Sequence, residues 1–207
     1  MYKTAEVSET SETRQKRYDV LVGGANDALF AGAGIKLADR VLDVGCGTGA
    51  TTRIAARLAA RGHVVGVDTS VPLLRRARAR MVAEKIRNAA YMEADPQVHP
   101  FPRAGYDVVI SRGGVMFFTD PAVAFANLAR ALLPGGRLAF VCPEPLSDPD
   151  RIRADLRDYE NVTVRGVPVE TVWGGDNAAF AVDVPHETGR SVRLRGDIWL
   201  VTAKRPR

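Results

Sequence analysis

With 207 residues, 46% of them hydrophobic and 26% charged, the chain is long enough for one well-buried α/β domain and too short for two ordinary ones. Its net charge of +5 raises nucleic acid as a partner, but the densest basic cluster, Arg75, Arg76, Arg78 and Arg80, sits where Leu74, Ala77 and Met81 recur at helical spacing. No aromatics are interleaved there for base stacking, so a solvated helix face is favoured over a nucleic-acid surface. Two cysteines, Cys46 and Cys142, make no disulfide framework and fit a reducing cytosol. The polar N-terminus and the lack of a membrane-length apolar run speak against a signal peptide or an anchor. The expected location is therefore the cytoplasm, with no membrane partner.

In chain order, residues 1–20 are rich in Ser, Thr, Glu and Lys, have little to bury, and are expected as a mobile or lid-like segment ahead of a single domain over residues 21–207. Tyr18 is a candidate lid residue, although packing of the lead-in onto the domain is the plainer role. Asn26 to Ala33 reads as a short helix. The stretch RVLDVGCGTGATT, from Arg40 to Thr52, then organises the rest. Val41, Leu42 and Val44 form an apolar run, Gly45, Gly47 and Gly49 break it, and helical spacing resumes from Thr51 to Ala60. That pattern predicts a buried parallel strand, a tight turn and a helix N-terminus. The absent side chains let a ligand lie against the backbone, and the first-turn N–H groups offer it donors.

The ligand is not settled by glycine spacing, because Gly45, Gly47 and Ala50 also meet the loose dinucleotide pattern, with Asp68 about 20 residues on. Asp43 discriminates better: a carboxylate just ahead of the turn repels a pyrophosphate and suits a ligand carrying an ammonium group. S-adenosylmethionine has that group and no phosphate.

A second strand, His63 to Val67, ends at Asp68, and a helix starts near Val71 and Pro72. Ala89 to Ala94 supplies a third strand with Asp95 at its carboxyl end. Tyr106 to Ile110 makes the fourth, bounded by Ser111, Arg112, Gly113 and Gly114. A helix from Pro121 to about Leu132 meets a stop at Pro134, Gly135 and Gly136, and Arg137 to Cys142 forms the fifth strand. Asp150 to Tyr159 reads as a helix, Val162 to Val172 as an extended segment, and Ser191 to Lys204 as a final strand or hairpin containing Trp199. Gly174 to Gly189 holds no strong pattern.

Together VLDVGCGTG, VVGVDTS, YDVVISRGGVMFF, LLPGGRLAFV and WLVTAKRP resemble the class I S-adenosylmethionine-dependent methyltransferases, in particular the small bacterial type that methylates metabolites. The resemblance runs in order from Asp39 to Val141 and resumes at the last strand. It implies a Rossmann-like α/β fold, doubly wound around a mostly parallel seven-stranded sheet with an antiparallel last strand. It also implies S-adenosyl-L-methionine as cofactor, no metal, and methyl transfer to O, N or C of a small metabolite. The cofactor residues it implies are Asp43 with the turn Gly45, Cys46, Gly47 and Gly49; Asp68 and Thr69 at the ribose; Asp95 at the adenine amine, with the backbone of Pro96 and Gln97 lining the ring; and Ser111 and Arg112 at the methionine part. Asp68 has an alternative role as a helix N-cap, and Pro96 cannot donate from its nitrogen.

His99, in HPFP on the same rim, is a weak candidate base, since a histidine between prolines more often packs or faces solvent. His63 reads as structural, and His186 is not placed. Met116, Phe117 and Phe118 form either an apolar wall beside the sulfonium or packing beneath the next helix. Ser-Arg-Gly-Gly replaces the Asn/Asp-Pro-Pro-aromatic run of adenine methylation, and Cys142 precedes Pro143 where cytosine-C5 enzymes place the nucleophile after proline. Both argue against base methylation, and RNA methylation rests on basic charge alone.

In the relatives it resembles, the lead-in and the interval after residue 174 are longer and roof the acceptor pocket. The site here is therefore closed by the acceptor itself, by a lid from a second subunit of a homodimer, or poorly. The last option motivates an alternative function, an S-adenosylmethionine-binding partner or regulatory protein with little transferase activity. A nicotinamide dehydrogenase would need its pyrophosphate to tolerate Asp43.

Overall fold

The computed structural model describes residues 23–143, 148–173 and 192–207. The lead-in over residues 1–20 with Tyr18, and the interval Gly174 to Gly189 with His186, lie outside the described residues.

A 3-10 turn at Gly23–Ala25 runs into helix α1 (Asn26–Ala33), and strand β1 (Arg40–Val44) follows. The chain then alternates: α2 (Ala50–Leu58), β2 (His63–Asp68), α3 (Val71–Ala83), β3 (Ala89–Glu93) and β4 (Tyr106–Arg112). A second 3-10 turn, Gly114–Phe117, precedes α4 (Pro121–Ala131), β5 (Leu132–Pro143), α5 (Pro149–Asp155), β6 (Glu160–Trp173) and β7 (Val192–Lys204).

The strands form one sheet in the order β3-β2-β1-β4-β5-β7-β6. β1 to β5 run parallel, and β7 is antiparallel to both its neighbours. This is the seven-stranded, doubly wound sheet the motifs imply. Parallel neighbours need crossover helices, which cover both faces and explain why β1 and β4 are nearly continuous apolar runs. Successive residues feed opposite layers. Leu42, Val44, Val109, Leu138 and Phe140 pack with Phe125 and Leu128 of α4 and Ile152 of α5. Val41, Val108, Ile110 and Ala139 pack with Leu29 and Ala33 of α1 and Ala55 and Ala56 of α2.

Helix starts follow local chemistry. The Asp120 carboxylate accepts from the Val123 N–H at 3.1 Å and caps α4, with Pro121 at the first helical position. Asp148 caps α5, accepting from the Asp150 N–H at 2.9 Å. α5 ends earlier than Tyr159, because the Tyr159 ring turns into the core and its hydroxyl donates to the Phe125 carbonyl at 3.0 Å. β5 starts at Leu132 rather than Arg137. The Pro134–Gly136 stop becomes an irregularity in its pairing, which steps from Tyr106–Leu132 to Val108–Arg137.

Two further features depart from the sequence-based expectation. Arg75 is exposed on α3, but Arg78 donates to the Tyr91 carbonyl at 2.8 Å and Arg80 to the Thr48 hydroxyl at 3.2 Å, so part of the basic cluster bonds inward. The β6–β7 pairing also continues to Trp173–Val192, beyond the last rung with β5 at Pro143–Ile198, leaving a two-stranded ribbon past the carboxyl end of β5. No helix among the described residues is long and apolar enough to cross a membrane.

Candidate functional site

The strand order reverses between β1 and β4, the place where open α/β sheets bind ligands outside their carboxyl ends. A cleft of about 530 Å³ lies there. Gly45, Cys46, Gly47 and Thr51 line one side, Asp68, Thr69 and Leu73 the next, then Asp95, Pro96 and Gln97, and finally Arg112 to Gly114 with Phe117 and Phe118.

The glycine turn is a tight fit. Gly45 has φ +69°, and a Cβ there would lie 2.6 Å from the Gly114 Cα, so the turn after β1 and the loop after β4 meet backbone to backbone. Its donors are less open than the glycines alone suggest. The N–H groups of Gly45 and Cys46 both donate to the Val67 carbonyl, at 2.9 and 3.0 Å, and the Gly47 N–H donates to Asp68 Oδ2 at 2.8 Å. Gly49, at φ +76°, serves packing: a Cβ would meet the Tyr91 hydroxyl at 2.1 Å, and Gly49 does not line the cleft.

Asp43 stands one layer behind the cleft with no solvent exposure, where it had been expected to face the ligand. Its Oδ2 accepts from the Thr51 and Thr52 hydroxyls at 2.7 and 2.6 Å, while Oδ1 has no hydrogen-bond partner among the described residues. Burial pushes its pKa from 3.8 up to about 6, opposed by the two hydroxyls and the Arg112 guanidinium. A buried carboxylate with an orphaned oxygen is complementary to a cationic ligand group and hostile to a phosphate. Burial, with the Asp43 and Asp68 carboxylates, holds the Cys46 thiol well above its usual range, so it lines the site as an inert protonated side chain.

Asp68 and Asp95 do line the cleft, each already bonded to its own neighbourhood. Asp68 accepts from the Gly47 N–H and, through Oδ1, from the Ser70 N–H at 2.8 Å, which leaves lone pairs for a ligand hydroxyl. Asp95 accepts from the Gln97 N–H at 2.9 Å. Thr69, Pro96 and Arg112 line the cleft as expected, and Arg112 also donates to Asn26 Oδ1 at 3.1 Å.

Ser111 does not reach the ligand space. It is fully buried, and its hydroxyl donates to the Val44 carbonyl at 2.8 Å, pinning β4 to the end of β1. His99 lies outside the cleft as well. Its ring packs edge-on against Phe101, with centroids 4.8 Å apart, so the weak candidate base is a packing residue. Among the described residues no cluster of side chains has metal-binding geometry.

Sequence reasoning missed Thr51 and Leu73 as lining residues, and the side-chain ties that Gln97 and Asn127 make within and around the loop after β3. The Gln97 Oε1 accepts from the Thr119 N–H at 2.6 Å, joining that loop to the start of α4. Asn127, itself buried, donates to the carbonyls of Pro96 and His99 at 3.0 and 2.9 Å. A lone amide inside PAVAFANLARA, a helix that is apolar apart from it and Arg130, was the available signal.

Residues 42–140, from β1 to β5, match the family description "Methyltransferase domain". An uncharacterised protein of Mycobacterium tuberculosis is 33% identical over 149 residues, which is 72% of this chain and 53% of the relative. Aklanonic acid methyltransferase DauC of a Streptomyces species is 36% identical over 106 residues, 51% of this chain and 48% of that protein. The chain thus spans about half the length of the curated relatives it matches. Among solved structures, phosphoethanolamine N-methyltransferase 2 of Haemonchus contortus, in complex with S-adenosyl-L-methionine, superposes with a TM-score of 0.72 at 18% identity, over 98% of this chain and 59% of that one. The segment from β1 to β5 thus matches the methyltransferase domain family, and the sheet around it gives the chain the fold of the solved methyltransferase.

Proposed function

We propose that this protein transfers a methyl group from S-adenosylmethionine to a nucleophilic O, N or C atom of a small molecule. The observation that carries the reading is Asp43, a buried carboxylate with an unpartnered oxygen directly behind a cleft at the sheet's switch point. It favours a ligand with an ammonium group, which the cofactor's amino-acid tail has and a dinucleotide lacks. When bound, the cofactor supplies an electrophilic methyl: the acceptor's electron pair forms the new bond, the old C–S pair stays on sulfur, and an O or N acceptor releases a proton.

The chain's residues then have separable tasks. Arg112 offers its guanidinium to the cofactor's carboxylate. The remaining lone pairs of Asp68 suit the ribose hydroxyls, and Asp95 suits the adenine amine. Pro96 brings no N–H to that contact. Alignment and exclusion of water supply the catalysis, with alignment alone worth up to ~7–11 kcal/mol.

A second reading, binding with little turnover, draws on one observation: His99, the candidate base, lines no part of the cleft. RNA methylation has less support, because Arg78 and Arg80 bond inward. Calorimetry with S-adenosylhomocysteine, followed by product detection from radiolabelled cofactor across a metabolite panel, tests the proposal. Absence of binding, or undiminished binding by Asp68→Ala, would overturn it; tight binding without any product would favour the second reading.

A further inference from the structure

We propose, resting on the methyl-transfer reading above, that a second cavity beside the cofactor cleft is the acceptor subsite and takes a planar aromatic molecule carrying a hydroxyl or amine that reaches Asp155. The cavity measures about 490 Å³ and lies between the loop after β4, α4, the end of β5 and α5. That volume is in the range of small-molecule pockets and far above the voids of a packed core.

Its walls are aromatic. Phe118 meets Phe125 edge-on with centroids 5.7 Å apart, and Phe125 stacks on Phe140 at 5.5 Å with an interplanar angle of 21°. A flat ring entering the cavity extends this ladder in the offset and edge-to-face geometries that aromatic pairs prefer. Phe117 and Phe118 also line the cofactor cleft, so one pair of side chains is common to the two spaces. Phe117 is 77% exposed, an unusual state for so large an apolar side chain, and it sits on the 3-10 turn that follows Gly113 at φ +76°. A ligand in either space covers it.

The rim decides the acceptor's polarity. Asp148, Arg151 and Asp155 edge the cavity, two carboxylates against one guanidinium. The Asp148 carboxylate is engaged in capping α5, and Arg153 pairs with Asp150 rather than with either rim acid. Asp155 is partly buried and makes no hydrogen bond or ion pair among the described residues. An open carboxylate beside an apolar slot selects a neutral or cationic donor and disfavours an acceptor bearing a carboxylate or phosphate.

The test is a fluorescence titration of the S-adenosylhomocysteine-saturated protein with 1-naphthol, using 1-naphthoate and cyclohexanol as comparators. 1-Naphthol is expected to bind at least tenfold more tightly than either. Met116→Trp fills the cavity from a side chain that does not line the cofactor cleft. It is expected to weaken 1-naphthol at least tenfold while leaving S-adenosylhomocysteine binding within twofold. Asp155→Ala, a milder change near the helix end, is expected to weaken 1-naphthol three- to tenfold and to narrow its preference over 1-naphthoate. Equal affinity for the three probes, or 1-naphthol binding unchanged in both variants, would overturn the assignment while leaving the cofactor reading intact. Failure of the unaltered protein to bind S-adenosylhomocysteine would overturn both.

Discussion

Lowering the pH from 7.5 to 5 should weaken S-adenosylhomocysteine binding about tenfold, and Asp43 is the cause. In the free protein burial raises its pKa from 3.8 to about 6. A shift of that size corresponds to roughly 3 kcal/mol between its two protonation states. The sign follows from the direction: with the folded pKa raised, the stability this group contributes is complete below about pH 4 and lost as the pH rises through 6. At pH 7.5 the free protein therefore holds an unfavourable buried anion. A ligand ammonium lodged in front of it favours the charged form and returns the pKa toward 3.8. Binding must then expel a proton between these two values, and with pKa values of 6 and 3.8 the affinity at pH 5 falls about tenfold. Arg112, Asp68, Cys46 and Tyr91 are the charged or titratable groups that interact with Asp43, and none of them is altered in an Asp43→Asn control. Calorimetry in buffers of different ionisation enthalpy measures both quantities, with nearly one proton released per site at pH 5 and almost none at pH 7.5. Asp43→Asn should bind more weakly at pH 7.5 and show no slope. Equal affinity at the two pH values, or a slope that survives in Asp43→Asn, would refute the reasoning.

Gly45→Ala places a Cβ 2.6 Å from the Gly114 backbone at φ +69°, so it should cost about 2 kcal/mol or more and lower Tm by roughly 4–8 °C, with loss of S-adenosylhomocysteine binding by calorimetry. Asn127→Ala strips the Pro96 and His99 carbonyls of their shared donor. Urea unfolding should show a loss of about 1–3 kcal/mol, and the loosened loop after β3 should weaken cofactor binding several-fold. His99→Ala should leave product formation within twofold, since its ring packs on Phe101; a loss of a hundredfold or more in kcat would restore it as a base.

The sheet was legible because its signals are local. Apolar runs such as Val41 to Val44, punctuated by glycine and proline, mark buried parallel strands whatever surrounds them, and the placement of Asp68 and Asp95 at strand ends follows directly. What faces the ligand was less legible. Asp43 and Ser111 lie on strands beside the cleft, yet both turn behind it, one onto two threonine hydroxyls and the other onto the Val44 carbonyl. Strand periodicity places a residue at an end; it does not say which backbone group will claim its side chain. Asn127, Arg78 and Arg80 escaped for the same reason, since each acts through a partner at least 13 positions away, as did the tie from the Gln97 side chain to Thr119. The aromatic cavity is the extreme case: Phe118, Phe125 and Phe140 come from three separate elements, and only their packing makes them one wall.

The central claim, that the buried acid behind the glycine turn selects an ammonium-bearing cofactor over a phosphorylated one, is tested most directly by titrating the protein in parallel with S-adenosylhomocysteine and NADH at pH 7.5. The account predicts saturable calorimetric binding of the first and no change in NADH fluorescence. Saturable NADH binding with no heat from S-adenosylhomocysteine would contradict it.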